Sequence, residues 1–146
     1  MSMSSRLLLD ITVIGVVAGG ALPLGAAPLR TSVSSPLVGI VEGQRAHLTL
    51  ANTGDRHGAT TTCDATLAFV DDQARLLKQQ AVRLGPGQGT FLALDWSEAA
   101  PDGRGRLHYR AVVTPLNDGC NGAIAGHEMV ENTTQKTTVF IGVYEE

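Results

Sequence analysis

The chain is short of charge. Only 17% of its 146 residues are Asp, Glu, Lys or Arg, and the formal net charge is −3. It therefore lacks the basic surplus that neutralises phosphates, and nucleic acid is not an expected partner. It is also short of helical periodicity: beyond the first 26 residues no stretch keeps apolar residues at i, i+3 and i+4 over three turns. The serines that follow, Ser32, Ser34, Ser35 and Ser97, lie in no Gly-x-Ser-x-Gly elbow, so nucleophilic catalysis has no recognisable anchor. No enzyme activity and no cofactor are expected. Aromatic residues make up only 4% of the chain, whereas glycine occurs 17 times among many Val, Thr, Leu and Ala. That mixture favours strands joined by glycine-rich turns, and the length suits one domain.

Cysteine is scarce too, and the two that occur matter because of what stands at the N-terminus. Arg6 precedes an apolar run from Leu7 to Ala27 that ends in small residues. A positive start, an apolar middle and a small-residue exit are the three parts of a secretory signal. The expected layout is a signal peptide over 1–26, a polar lead-in over 27–36 and a β-sandwich domain over 37–146. The alternative is an uncleaved anchor, because 11–29 approaches the length of a bilayer span; contact with a membrane is expected only through that segment. Export places the protein in the periplasm or outside the cell. In such an oxidising compartment Cys63 and Cys120 are expected to pair. They stand 57 positions apart, a loop for which the chain-entropy model gives roughly 4 kcal/mol of stabilisation.

Alternation of apolar and polar residues recurs throughout the exported part. Expected strands run Leu37 to Val41, Arg45 to Asn52, Thr61 to Val70, Leu76 to Leu84, Thr90 to Trp96, Arg106 to Pro115, His127 to Asn132 and Lys136 to Tyr144. Ala46, Leu48 and Leu50 form one inner face, Cys63, Ala65, Leu67 and Phe69 a second, and Leu92, Leu94 and Trp96 a third. Leu107, Tyr109, Ala111 and Val113 form a fourth, with the Tyr109 ring in the core and its hydroxyl at the rim. A helical turn over 74–80 competes with the fourth strand, and Leu116 to Gly126 reads as a loop. Both faces of the last strand are apolar or β-branched, which implies a central or covered position. Seven to eight short strands with frequent turns predict an antiparallel, immunoglobulin-like β-sandwich, with a small closed barrel as the alternative.

Leu48-Thr-Leu-Ala-Asn-Thr-Gly54, the alternating strands and the Gly85-Pro-Gly-Gln turn resemble the immunoglobulin-like or fibronectin-III-like modules common in secreted bacterial proteins. The antibody pattern itself is absent, since Cys63 opens a strand and Cys120 lies in a loop. A bridge between them would pin one end of the sandwich instead of crossing its middle.

The one cluster with metal chemistry is Cys120 with His127 and Met129. Thiolate, imidazole and thioether suit copper, and residues two apart on a strand share a face. His127-Glu-Met129 is similar to the His-x-Met of periplasmic copper chaperones, although Met129 is the only methionine left after the signal segment. Without a metal, His127 would be a surface strand residue and Met129 a filler of the core. Asp71-Asp72 with Asp95 or Glu98 are candidate paired carboxylates without a known loop spacing. Asn132-Thr-Thr134 is either a glycosylation sequon or a hairpin turn. Two functions remain: a non-catalytic module that binds an unknown macromolecule of the envelope or exterior, and a copper-handling protein using His127 and Met129.

Overall fold

A computed structural model describes residues 32–54, 61–100 and 105–143. The expected signal segment lies outside them. Among the described residues nine strands are formed in the order β1 (Val33–Ser34), β2 (Val38–Ile40), β3 (Gln44–Asn52), β4 (Cys63–Asp71), β5 (Leu76–Leu84), β6 (Gly89–Asp95), β7 (Leu107–Pro115), β8 (Ala123–Glu131) and β9 (Thr137–Val143). All pairings are antiparallel. One sheet runs β5-β4-β7, with β1 and β2 both on the far side of β7; the other runs β6-β3-β8-β9.

The alternation in the sequence explains the packing. Ala46, Leu48 and Leu50 of β3 and Leu92 and Leu94 of β6 point inward from one sheet. Ala65, Leu67 and Phe69 of β4 and Tyr109, Ala111 and Val113 of β7 meet them from the other. Burial of these apolar side chains is the main force holding the layers together. The fourth expected strand forms as β5, so the competing helical turn is absent there.

Three local expectations are corrected. The strand ending at Trp96 stops one residue earlier, because Trp96–Ala99 turn into a short helix, α1, whose Glu98 carboxylate accepts the Asp95 N–H at 3.0 Å. Trp96 is buried as expected, and its indole N–H donates to the Gly105 carbonyl. The lead-in contributes β1, so strand structure begins before position 37. Finally β8 starts at Ala123, inside what reads as a loop, and its first residues pair with the end of β3. There the usual pattern is inverted. Ala123 and Ala125 face the interior while Ile124, 60% exposed, faces solvent.

The disulfide lies beside that stretch. Cys63 and Cys120 are bonded, joining the first residue of β4 to a 3₁₀ turn, Asp118–Cys120, in the β7–β8 connection. The bridge pins one end of the sandwich, as expected. Gly119 is obligatory in this turn, since a Cβ there would lie 2.0 Å from the Thr62 carbonyl oxygen. A cavity of about 30 Å³ remains beside the bridge, lined by Leu50, Ala65, Val113, Ala123 and Ala125 among others. The turn before β6 is equally legible in the chain. Pro86 and Gly87 (φ +76°) occupy its centre, and the Gln88 N–H reaches the Gly85 carbonyl at 3.1 Å, the arrangement of a type II turn.

Candidate functional site

The residues singled out for chemistry are placed in three separate environments. His127 sits in the middle of β8, between Leu48 of β3 and Ile141 of β9, on the inward face. It is fully buried, which corrects the expectation of a surface residue. Its Nε2 lies 2.8 Å from the Tyr109 hydroxyl across the gap between the sheets, so that hydroxyl is not at a rim either. The Tyr109 ring meets Phe69 edge to face at 5.4 Å and His127 at the same distance, forming a three-ring cluster in the core.

Burial lowers the His127 pKa to about 4, partly opposed by the neighbouring Glu128 carboxylate, and burial pushes the Tyr109 hydroxyl well above its ordinary value. Both groups are thus neutral near pH 7. A neutral imidazole and a phenol carry two polar hydrogens and share one bond. One hydrogen is left over whichever group donates, in keeping with the unpartnered, buried His127 Nδ1. The pair is a polar contact between layers of the core, shut off from solvent.

Cys120 is consumed by the disulfide, so the Cys120, His127 and Met129 ligand set does not assemble. Met129 packs against the core, as in the metal-free reading. With His127 Nε2 facing Tyr109, the His-x-Met fragment presents no open ligand pair at the surface. Among the described residues no three of His, Cys, Asp and Glu cluster as metal ligands would.

The acidic residues have gone to local structure. Asp71 is buried at the end of β4, where its carboxylate accepts the Gln73 N–H at 2.9 Å, the Arg75 N–H at 2.7 Å and Arg75 Nε at 2.7 Å. Burial by itself would raise its pKa; the bonds from Arg75 and Gln73 outweigh it and hold the carboxyl below its usual value. Glu98 is likewise lowered, first by Lys78 and then by the Asp95 N–H. Asn132 forms the expected hairpin turn, and its side-chain amide donates to Asp95 at 2.8 Å. No paired-carboxylate site results.

Sequence reasoning passed over the outer face of the β6-β3-β8-β9 sheet. Phe91 of β6 and Ile124 of β8 are 58% and 60% exposed there. Between them run Thr49 and Ala51 of β3, the register partners of Phe91 and Ile124 respectively. His47 meets Phe91 in a tilted ring contact at 5.2 Å and its Nδ1 lies 3.3 Å from Glu128, whose second oxygen accepts from Thr137 Oγ1 at 2.8 Å. The signal was available: in the alternation of Thr90 to Trp96, Phe91 falls on the face opposite Leu92 and Leu94.

This geometry defines an all-β protein of two packed antiparallel sheets with one disulfide. A neighbour among solved structures agrees with that class: the chain matches the structure titled "Crystal Structure of Thermotoga maritima 1070" with a TM-score of 0.53 and 16% identity, over 79% of this chain and 93% of that one. At that identity the likeness is one of fold alone. Neither a family model nor a curated protein sequence matches the chain.

Proposed function

We propose that this chain is a non-catalytic module of the cell envelope or exterior, of the immunoglobulin-like or fibronectin-III-like kind, that binds another macromolecule through the outer face of its β6-β3-β8-β9 sheet. The observation that carries this reading is the exposure of Phe91 and Ile124 on one regular sheet face, with a polar His47–Glu128 pair beside them. Large apolar side chains rimmed by polar ones are the composition of a recognition surface. Export is supported by the disulfide, a bond that persists in oxidising compartments, and by the charge-poor leading segment. No helix among the described residues is long and apolar enough to cross a membrane.

The chemistry of the interior points the same way. The buried His127 and Asp71 both serve the fold, one bonded to Tyr109 and the other to Arg75. The test is capture from envelope extracts by the immobilised protein, compared with a Phe91→Ser/Ile124→Ser variant. A partner retained by the native protein and lost by the variant is the expected result. Equal capture by both, or none by either, rejects the outer face as a binding surface.

A further inference from the structure

The two sheets have four edges, and three carry a recognised defence against pairing with another strand. At one edge β1 has two residues and β2 three, with Pro36 between them. The strand β5 carries Lys78 and Arg83. It also holds a bulge, since Val70 pairs with Leu76 and Phe69 with Lys78, leaving Leu77 unmatched. The strand β9 is bulged in the same way, Thr138 falling between the partners of Val130 and Met129. Short strands, basic side chains, proline and bulges are the devices that blunt an edge.

The edge of β6 has none of them. Gly89-Thr-Phe-Leu-Ala-Leu-Asp95 runs in unbroken register along β3 for seven residues. It holds no Lys, Arg or Pro, and its single charge is at the end. Among the described residues no strand pairs with its other side. Every second backbone amide and carbonyl of such a strand points away from its neighbour and is left to water.

We infer that β6 is a self-association edge, pairing antiparallel with β6 of a second copy to join two four-stranded sheets into one of eight strands. The strand is compatible with itself in this arrangement. A two-fold axis at Leu92 sets Leu92 opposite its counterpart, Phe91 opposite Ala93, Thr90 opposite Leu94 and Gly89 opposite Asp95. Opposed residues share a face, so the outward Phe91 and Ala93 meet outside while Thr90, Leu92 and Leu94 meet toward the interiors. Each exposed Phe91 ring gains a small neighbour across the seam. The two Asp95 carboxylates stand at opposite ends, so no like charges are opposed.

Phe91 takes part in both this seam and the outer-face surface, so two single substitutions away from it separate the two. Sedimentation velocity from micromolar to submillimolar concentration should show a monomer–dimer equilibrium for the native chain. Ala93→Lys, which gives β6 the lysine it lacks, should weaken dimerisation at least about 10-fold. Ile124→Lys, on the same face but two strands from the edge, should leave it unchanged. Hydrogen exchange of the native protein supplies a check that needs no variant, because the outward-pointing amides among 89–95 should become protected as concentration rises. A monomer at every concentration, a dimer indifferent to Ala93→Lys, a dimer lost equally in Ile124→Lys, or β6 exchange independent of concentration would each overturn the inference.

Discussion

The two ends of the sandwich hold the sheets together by different means. At the end where β4 begins, small residues face one another and a covalent bond joins β4 to the β7–β8 turn, leaving a cavity of about 30 Å³. Toward the other end the gap is filled by Phe69, Tyr109, His127 and Trp96, and the link between layers is a hydrogen bond. Large rings make covalent closure unnecessary where they fit. Where alanines line the interior, dispersion contacts are fewer and the bridge compensates.

The sharpest way to break this comparison is to remove the bridge. Replacing Cys63 and Cys120 by Ala should destabilise the protein by about 4 kcal/mol, the loop-closure value for a 57-residue crosslink. Urea unfolding would measure it. A loss below ~1 kcal/mol would mean that the ring-filled end holds the sheets without help.

Acid attacks the other end. His127 binds a proton less readily in the folded state than in the unfolded chain, because its pKa is lowered to about 4 from an ordinary 6.5. Its contribution is therefore complete above pH 6.5 and is lost as pH falls toward 4, while the unfolded state takes up the proton first. The full effect approaches ~3 kcal/mol. Thermal unfolding across that window should fall steeply for the native chain. It should fall less for Tyr109→Phe/His127→Leu, which removes both polar groups together. Parallel curves would assign the acid sensitivity to other residues.

The smallest effect sharpens the contrast instead of breaking it. Ala123→Val places two methyl groups beside the cavity on a strand that tolerates β-branching, and should raise stability by up to about 1 kcal/mol. A destabilised variant would show that the bridge already leaves no usable room at that end.

Much of the fold was legible because its strands alternate cleanly. Ala46, Leu48 and Leu50, or Ala65, Leu67 and Phe69, could face only one way in a half-buried strand, and all six are buried. The start of β8 is hidden in the sequence because its burial runs against hydrophobicity: alanines go inside and Ile124 outside. Trp96 was read on the correct side yet in the wrong element, since Asp95 and Glu98 convert the strand end into a helical turn. The apolar pattern of β9 is compatible with a central or a covered edge position, and among the described residues the strand takes the edge, since such a pattern does not reveal how many neighbours a strand has.

The chemistry was harder to read than the fold. A histidine next to Glu and Met looks like a surface ligand, and only the opposing sheet, 18 residues away in sequence at Tyr109, makes it a core residue. Pairing across a sandwich leaves no local mark. An open sheet edge is a natural binding mode for such a domain, but which strand supplies it depends on the pairing order, and the outer face is marked only by residues such as Phe91 that point away from the core face.

The position of the bridge in the chain also orders its maturation. Cys63 opens β4, but Cys120 follows β7, so a chain emerging from its N-terminus exposes the first thiol with four strands, β4 to β7, still to come before the second. Gly119 fits against Thr62 only when the 3₁₀ turn has docked on the start of β4. The crosslink therefore cannot close until seven strands have been delivered. A single early thiol meanwhile remains open to any oxidant or stray partner it meets.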